Sequence, residues 1–496
     1  MRKKFITGLL GLCIFLTACG STKLSEETTA VSETNDSFEP SLVGSYEAED
    51  QLLLGNTKIG TQKSGYSGTG YVEGFADEND GCLFTVYIEE TGFYDLNFVQ
   101  ASNGGEKYNY ITVDGNEVGT VYVEETDYTD SIIERIYLET GSHEIEISKY
   151  WGWIYLDRLD ITTSKPVDAS IYQVTAPLTN ENASQNAKKL YEYLTSIYGS
   201  KILSGQYCDT GMYGKEFQII KKTTGKTPAV LGLDLMNYSP TNVKNGTVGY
   251  SIDYAIDFWE QGGISTFCWH WTVPEKYLTG TWYSSFYKEH TNINLAKIMN
   301  GEDEEGYELL MADIDAIAEV LQPLKEKDVP ILFRPLHEAS GGWFWWGTAG
   351  PEAYKKLYVA MYEKLVNEYE LNNLIWVWNG QDAEWYPGDE YVDIIGEDIY
   401  PGEHVYTSQG SKFLEAVNYS EERKLVYLTE NGCVFDPELV KRDNTMWGMW
   451  CTWSGEFVAK DTNIYTLSEQ YTEKEMLIKA YEDEDVLTLE DLHILD

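Results

Sequence analysis

The sequence is short of basic side chains. Lysine and arginine together number 36 in 496 residues, against 81 aspartates and glutamates, so the formal net charge is -45. A surface with that charge repels phosphate backbones, which makes nucleic acid a poor candidate partner and disfavours a polyanionic substrate. A neutral substrate suits it. The content of 43% hydrophobic and 24% charged residues is that of globular proteins and excludes wholesale disorder, and the length suggests two or three domains.

Histidine and cysteine are also scarce. Only six histidines are present, and His270 and His337 do not have H-E-x-x-H spacing, so a zinc site is not expected. Beyond residue 20, five cysteines are scattered without a C-x-x-C pair, so they are expected to be small buried side chains rather than a disulfide framework. They are Cys82, Cys208, Cys268, Cys433 and Cys451. No G-x-S-x-G stands at a strand-to-helix turn, which argues against a serine hydrolase.

The first residues contain an apolar run that is too short to span a bilayer. It covers residues 5–16 and follows the basic residues at positions 2–4. Residues 16–20 (LTACG) resemble the lipobox of bacterial lipoprotein signals. This resemblance implies removal of residues 1–18, lipidation of Cys19 and a protein anchored to the membrane at the bacterial cell surface. Residues 19–42, rich in Ser, Thr and Glu, are expected to be a disordered tether.

Aromatic residues, by contrast, are abundant. The chain has 15 Trp and 38 Tyr, and aromatic residues make up 14% of the total. Flat apolar rings with a polar edge can stack against the faces of sugars. Most of these rings are nevertheless expected to pack in the core or in Tyr-rich strands. Composition alone therefore points only weakly to a carbohydrate ligand.

Residues 43–164 have the pattern of an antiparallel β-sandwich. Short runs with polar–apolar alternation, such as residues 82–88, 92–98 and 143–147, are separated by turn signals. No paired carboxylates or Ser/His/Asp set in this region has a catalytic arrangement. The region resembles carbohydrate-binding module family 35, on residues 46–50 (YEAED), 65–72 (GYSGTGYV) and 151–161 (WGWIYLDRLDI).

That resemblance implies two kinds of site in the first domain. Family members commonly hold a structural calcium between the opening acidic strand and the last strand, and Glu47, Glu49 and Asp160 are the candidate ligands. A solvated acidic edge is the alternative interpretation. The family binds its ligands with loop aromatics, so Trp151 and Trp153 are candidates, and at least one of them is expected to be a core residue.

Residues 170–496 show a different period, in which buried-type strands alternate with helical stretches. Helical stripes occupy residues 183–198, 307–327 and 351–369. Strands are predicted at residues 201–207, 228–235, 263–269, 330–336, 373–379, 392–397, 424–430 and 446–453. Eight such alternations predict a (β/α)8 barrel, with its active site at the C-terminal ends of the strands. The acidic run 302–305 is predicted to be a solvated loop.

Two glutamates stand at the ends of predicted barrel strands. Glu338 follows the fourth strand and Glu430 ends the seventh, so both should face the barrel mouth. Aromatic residues are expected to surround them: Trp343, Phe344, Trp345, Trp346, Tyr400, Trp450 and Trp453. Hydrolysis of a glycosidic bond needs one protonated and one ionised carboxyl group. Each glutamate alone would more often be a salt-bridge partner, but the pair in an aromatic mouth favours catalysis.

The second domain resembles glycoside hydrolase family 26, whose best-known members are β-1,4-mannanases. Residues 334–347 (RPLHEASGGWFWWG) carry the closest likeness, which extends over residues 172–457. The resemblance implies that Glu338 is the proton donor and Glu430 the nucleophile of a two-step retaining mechanism that needs no cofactor. It also implies a set of substrate-binding or positioning residues: His270, His337, Arg334, Trp343, Tyr400 and Trp453.

The sequence therefore predicts a monomeric endo-acting mannanase that cleaves β-1,4 bonds in mannan, galactomannan and glucomannan. The same pair of glutamates could act on mixed-linkage β-glucan or β-xylan, because residues away from the centre select the sugar. An inactive glycan-binding lipoprotein is a further alternative. Endo or exo action stays open, since it depends on loops that close one end of the cleft.

Overall fold

A bulged antiparallel sandwich and a closed parallel barrel form two separate units of the chain. The computed structural model describes residues 38–460 and 465–494, and the two compact units divide between Lys165 and Pro166. The predicted signal and all but the end of the predicted tether lie outside the described residues, as does Cys19. Within those described residues, no helix has the length and apolarity needed to cross a membrane.

In its described part, from residue 38 onward, the first unit contains eleven strands in two antiparallel sheets. The strands are β1 (Leu42–Glu47), β2 (Leu52–Leu54), β3 (Lys58–Gly60), β4 (Tyr71–Glu73), β5 (Gly81–Ile88), β6 (Gly92–Ser102), β7 (Lys107–Val113), β8 (Asn116–Val123), β9 (Ile132–Leu138), β10 (Gly141–Lys149) and β11 (Ile154–Thr163). One sheet has the order β3-β4-β11-β6-β9, with β1 also on β11, and the other has the order β2-β5-β10-β7-β8.

Alternation along the strands builds the core between these sheets. In β5, for example, Phe84, Val86 and Ile88 are buried, while Thr85 and Tyr87 between them are exposed. Side chains that alternate in this way fill the space between two sheets and leave the outer faces to water. The predicted antiparallel β-sandwich is therefore confirmed.

The second unit is the predicted barrel. After β12 (Ile202–Leu203), its strands are β13 (Gly205–Tyr207), β14 (Val230–Asp234), β15 (Ile264–Cys268), β16 (Ile331–Arg334), β17 (Leu374–Trp378), β18 (Ile394–Ile399), β19 (Leu425–Asn431) and β20 (Trp450–Thr452), and β21 (Val486–Leu487) follows. Strands β13 to β20 close in sequence order. Their nearly continuous burial is what helices on the outside of a parallel barrel impose.

Ten α-helices surround or connect the barrel strands. They are α1 (Gln185–Ile197), α2 (Lys215–Thr224), α3 (Pro240–Lys244), α4 (Ser251–Glu260), α5 (Leu295–Met299), α6 (Glu304–Glu326), α7 (Pro351–Glu363), α8 (Gly410–Val417), α9 (Pro437–Asp443) and α10 (Lys474–Glu482) among the described residues. A π-helical turn (Lys364–Glu368) continues α7.

The first predicted barrel strand is divided in two. Residues 201–207 form β12, which pairs with β21, and β13, which joins the barrel. Ser204 lies between them, and both its backbone N–H and its hydroxyl donate to the carbonyl of Leu487, at 3.0 and 2.8 Å. The chain therefore leaves one sheet and enters the other at Ser204.

The acidic run 302–305 is not a solvated loop. Asp303 caps α6 by accepting the backbone N–H of Gly306 at 3.0 Å, and Glu304 and Glu305 form the first turn of the helix. Carboxylates are stabilised at this end by the helix dipole. The interpretation of these acidic residues as a loop was wrong, because one of them, Asp303, is the N-cap of α6. The five cysteines of the described chain are free and buried, as expected.

Candidate active site

Parallel register brings side chains of neighbouring barrel strands to the same level at the mouth. Cys268 of β15 is level with Arg334 of β16, and Asp398 of β18 is level with Glu430 of β19. Tyr207 is the last residue of β13 and is level with Gly232 of β14. Because all these strands run in one direction, their C-terminal side chains meet at the same end of the barrel.

The Arg334 guanidinium lies under this end and is fully buried. Its Nη1 donates to Asp398 Oδ2 at 2.6 Å, and its Nη2 contacts Glu430 Oε1 and lies 2.9 Å from the Tyr207 hydroxyl. The other oxygen of Glu430, Oε2, accepts the hydroxyl of Tyr400 at 2.6 Å. A cation and a phenol thus fix the Glu430 carboxylate and stabilise its negative charge.

Glu338, by contrast, forms no ion pair with a cation of the described residues. Its backbone has φ 53°, an unusual conformation for a residue with a side chain, and its N–H donates to the Asn379 side-chain oxygen at 3.0 Å. The indole N–H of Trp343 donates to Glu338 Oε2 at 2.8 Å. The indole can lie this close to the chain because position 341 is glycine, where a Cβ would sit 2.0 Å from the Trp343 ring.

The two glutamates face each other. One oxygen from each of Glu338, Asp398 and Glu430 lies within 4.8 Å of the other two. Retaining glycosidases hold their two carboxyl groups about 5–5.5 Å apart, whereas inverting enzymes leave room for a water between them. The spacing of Glu338 and Glu430 is therefore compatible with direct attack by one of them on a sugar carbon.

Burial and neighbouring charge raise the pKa of Glu338 to about 9. Burial has the largest effect, followed by the negative charges of Asp398 and Glu430, and the Trp343 hydrogen bond opposes them. Glu338 consequently carries a proton at neutral pH. The mouth thus combines a protonated carboxyl with a carboxylate stabilised by Arg334, which is the division of roles that glycoside hydrolysis needs.

Two histidines with opposite electrostatic character stand beside the glutamates. Their rings are edge to face, with centroids 4.7 Å apart. Burial, together with the charges of Arg334 and His270, lowers the pKa of His337 well below its usual value, so this ring is neutral. Burial also lowers the pKa of His270, but the charge and hydrogen bonds of Asp234 outweigh it, so the pKa of His270 is raised.

Asp234, at the end of β14, fixes His270. Its Oδ2 bonds Nδ1 of the ring at 2.6 Å, and its Oδ1 accepts the backbone N–H groups of His270 at 3.1 Å and Met236 at 2.8 Å. A carboxylate on Nδ1 keeps a proton there and leaves Nε2 for another partner. The ring lies 5.8 Å from that of Trp453 between centroids.

Only part of the predicted aromatic lining is at the mouth. Trp343 and Tyr400 are 40% and 42% exposed and Trp453 is partly exposed, but the other four rings are buried. The buried rings are Phe344, Trp345, Trp346 and Trp450. Trp346 supports the site from behind, because its indole donates to the carbonyl of His337 at 2.8 Å. Four of the seven rings therefore present no exposed face to a sugar, although Phe344 packs against His270 and His337.

A neighbouring loop, residues 275–294, is joined to the segment that carries the acid. Tyr287 forms an isolated β-bridge with Phe344. The N–H of Trp345 donates to the carbonyl of Phe286 at 3.0 Å, and the N–H of Lys288 donates to the carbonyl of Trp343 at 2.9 Å. This bridge holds Trp343 over Glu338 through the main chain.

The sandwich presents both candidate tryptophans to solvent. Trp151 is 67% and Trp153 is 52% exposed, so the expectation that one of them is a core residue was wrong. The turn between them uses left-handed backbone at Gly152 (φ 51°) and Trp153 (φ 60°). These positive φ values interrupt the extended backbone between β10 and β11, and both rings project into solvent.

The candidate calcium ligands are only partly brought together. Glu47 Oε2 accepts the Ser67 hydroxyl at 2.8 Å, Glu49 Oε1 accepts the N–H of Gly70 at 2.9 Å, and Glu49 Oε2 is buried without a hydrogen-bond partner. Both carboxylates lie against Gly68. A Cβ at this position would be 2.3 Å from Glu49 Oε1 and 2.9 Å from Glu47 Oε2. Two converging carboxylates and an unpartnered buried oxygen fit a cation.

Asp160 is not part of that pair. Its carboxylate accepts the Arg158 Nε at 3.0 Å and the Ser45 hydroxyl at 2.5 Å, and it does not gather with Glu47 and Glu49 into a three-ligand cluster among the described residues. The prediction of Asp160 as a third ligand was wrong because the register of β1 and β11 places Ser45 opposite it and Arg158 opposite Glu47.

Several residues that shape the mouth were not among the predicted site residues. They are Asp234, Asp398, Tyr207 and Asn379. All four stand at or directly after the C-terminal end of a barrel strand, which is the signal that could have found them. Their partners come from other strands, so the sequence alone gives no pairing.

An aromatic barrel mouth with a protonated and an ionised carboxyl group at this separation defines a glycoside hydrolase. The sequence model of Glycosyl hydrolase family 26 matches residues 179–480, and that of Carbohydrate binding module (family 35) matches residues 44–164. The chain therefore belongs to glycosyl hydrolase family 26 and carries a module of the second family.

Known relatives cover both units. A Thermothelomyces thermophilus protein named mannan endo-1,4-beta-mannosidase is 38% identical over 451 residues, 90% of each chain. The crystal structure of the Podospora anserina GH26-CBM35 beta-(1,4)-mannanase is 35% identical, with a TM-score of 0.64 over 91% of this chain and 98% of that one. A ruminal GH26 endo-beta-1,4-mannanase is 30% identical, with a TM-score of 0.67 over 90% and 98%.

The raised pKa of Glu338 predicts an alkaline limit to turnover. Protonated Glu338 is lost as the pH rises through about 9, so kcat/KM on a polysaccharide should fall about tenfold per pH unit above that value. An aryl glycoside with an acidic leaving group needs no proton, and its kcat/KM should lack this alkaline limb. An identical limb with both substrates would show that another group is responsible.

The Asp234–His270 contact predicts a positioning role for Asp234. In Asp234→Asn, burial is no longer opposed by the carboxylate, so the pKa of His270 should fall below its usual value. Loss of one charge-assisted hydrogen bond should reduce kcat/KM at neutral pH roughly ten- to a hundredfold, with partial recovery at lower pH.

Asp313→Asn is the matched control for this variant. Asp313 is another buried carboxylate, which accepts the Trp271 indole at 2.8 Å, and its replacement should leave the pH profile unchanged. Asp234→Asn and His270→Gln should also be non-additive when combined, because both remove one interaction. Fully additive losses would rule out the positioning role.

Proposed function

We propose that the protein is an endo-acting retaining glycoside hydrolase that cleaves β-1,4-mannosidic bonds in mannan, galactomannan and glucomannan. The observation that carries this proposal is the facing pair Glu338 and Glu430, with oxygens within 4.8 Å at the mouth of a family 26 barrel. Relatives named as mannan endo-1,4-beta-mannosidases, which align over 90% of this chain, support the choice of mannan.

In the first step, a carboxylate oxygen of Glu430 attacks the anomeric carbon of the sugar. The glycosidic C–O bond breaks, and the proton of Glu338 passes to the leaving oxygen. The product is a glycosyl ester of Glu430. Arg334 and Tyr400 hold the attacking carboxylate, and the Trp343 indole orients the acid.

In the second step, Glu338 acts as a base. It takes a proton from a water molecule whose oxygen attacks the anomeric carbon, and the bond to Glu430 breaks. Two displacements at one carbon retain its configuration, and Glu338 regains its proton. We assign binding of the sugar to His270, which Asp234 holds, and to the partly exposed Trp453. We assign a further hydrogen bond to the sugar to the neutral ring of His337.

Product release from soluble galactomannan, glucomannan, mixed-linkage β-glucan and xylan tests the proposal. Wild type should cleave the two mannans, and Glu430→Ala should lose essentially all activity. Glu338→Gln should lose most activity on polymer but retain its first step on an aryl glycoside with an acidic leaving group. Cleavage of β-glucan or xylan alone would keep the mechanism and change the substrate, and binding without any cleavage would indicate an inactive binding protein.

We further propose that the sandwich binds mannan through Trp151 and Trp153 and holds a structural calcium at Glu47 and Glu49. Calcium that binds only the folded module should raise its melting temperature above that measured with a chelator. Glu49→Gln should abolish this difference. Asp160→Asn, which alters the contacts with Arg158 and Ser45, should keep it. Equal melting temperatures of wild type with calcium and with chelator would contradict the calcium site.

Finally, we propose that Cys19 is lipidated and anchors the exported protein to the bacterial membrane, where it acts as a monomer. The support is the sequence of residues 2–20. Wild type should fractionate with membranes and Cys19→Ala should not, when both are expressed from the full gene in a bacterium. Membrane association of Cys19→Ala equal to that of wild type would contradict the anchor.

A further inference from the structure

Aromatic side chains form a surface on the outer face of the second sheet of the sandwich. In β7, Ile111 and Val113 are buried in the core, so the two-residue period of a strand turns Tyr108 and Tyr110 outward. Tyr122 stands directly opposite Tyr108 in β8 and is also outside, since its neighbours in the strand are buried.

Four rings make up this surface, which we call the tyrosine face: Tyr108, Tyr110, Tyr122 and Tyr150. Tyr108 and Tyr122 have ring centroids 5.1 Å apart, and Tyr110 and Tyr150 have centroids 4.5 Å apart with planes inclined by 31°. Tyr122 and Tyr150 are 42% and 51% exposed. Cross-strand aromatic pairs can serve to stabilise a sheet. Tyr150 has no such role, because it lies beyond the end of β10, and its ring extends the surface past the strands.

The surroundings of the tyrosine face indicate the chemistry of its ligand. Glu106, Glu117 and Glu124 are the charges that act on these phenols, and the Tyr122 hydroxyl donates to Glu124 at 2.9 Å. Acidic neighbours disfavour a nucleic acid or an anionic lipid surface. Carboxylates and phenols beside apolar rings instead suit a neutral ligand with hydroxyl groups and an apolar face, which is a sugar chain.

The tyrosine face also continues into the loop that carries the exposed tryptophans. The backbone N–H of Trp151 donates to the carbonyl of Tyr108 at 2.8 Å, so the loop is fastened to the strand from which Tyr108 projects. Tyr150 precedes Trp151 in the chain and packs on Tyr110. Aromatic side chains therefore occur on the loop and on the adjacent strands β7 and β8.

We propose that the tyrosine face binds an extended β-mannan chain, so that the module holds polysaccharide along its sheet as well as at the tryptophan loop. This inference rests on the proposed function for the choice of mannan. It assigns a ligand surface to strands β7 and β8, which lie outside the loop formed by residues 150–153.

The test measures binding of the full chain to insoluble mannan, with Glu430→Ala present in every variant to prevent cleavage. Replacement of both Tyr110 and Tyr122 by Ala should weaken binding roughly tenfold, since two sugar-facing rings are lost. Tyr150→Ala should give a smaller loss in the same direction, and it changes no strand. Tyr87→Ala is the matched control, because Tyr87 is 61% exposed on β5 of the same sheet and lies outside the tyrosine face.

Further variants separate the tyrosine face from the loop and from the barrel. Combined replacement of Trp151 and Trp153 by Ala should leave measurable binding that the Tyr110/Tyr122 replacement then reduces. Wild-type affinity in both the Tyr110/Tyr122 and the Tyr150 variants would overturn the proposal. So would an equal loss for Tyr87→Ala, or complete loss of module binding in the tryptophan variant alone.

Cleavage of short soluble mannan oligosaccharides distinguishes failure of this inference from failure of the proposed function. With Glu430 restored, the Tyr110/Tyr122 variant should cleave these short chains at the wild-type rate, because their cleavage needs only the barrel. Normal cleavage with unchanged binding to insoluble polymer would overturn only the tyrosine face. A wild-type chain that cleaves no mannan and does not bind it would overturn both proposals.

Discussion

The guanidinium of Arg334 is fully buried beneath the barrel mouth, and the arrangement of the other catalytic groups depends on it. A buried charge is costly unless it is fully paired, and here it contacts Asp398, Glu430 and Tyr207. These contacts tie together four of the eight barrel strands at one level. They fix the orientation of Glu430, and they hold the carboxyl groups of Asp398 and Glu430 close to Glu338, where they add to the effect of burial in raising its pKa. The unequal character of the two glutamates thus follows from the burial of Glu338 and from a cation that contacts only Glu430.

Much of this architecture could be predicted from the sequence. Buried parallel strands are nearly continuous apolar runs, so the eight barrel strands were located to within a few residues, and their ends marked Glu338 and Glu430. Asp234 and Asp398 stand at strand ends too, but what distinguishes them is contact with His270 and Arg334 across the barrel. Such contacts join residues 36 and 64 positions apart, and no local pattern encodes them.

The aromatic residues are a second case in which a local sequence pattern does not predict the position of a side chain. Residues 343–346 (WFWW) have the composition of a sugar platform, yet the short helical turn at Trp345–Gly347 buries the last two rings and leaves Trp343 at the mouth. In the sandwich the outcome is reversed, because both Trp151 and Trp153 are exposed beside left-handed backbone at Gly152 and Trp153, where one core ring was expected. Backbone conformation, rather than residue type, decides which rings can meet a ligand.

Through the β-bridge between Tyr287 and Phe344, the loop of residues 275–294 influences the proton affinity of Glu338. The loop holds the main chain of Trp343, and the Trp343 indole in turn opposes the rise in the proton affinity of Glu338. An insertion or deletion in this loop during evolution would therefore alter acid strength without replacing any catalytic side chain. Related enzymes with the same glutamates could in this way diverge in the acidity of the habitats where they work.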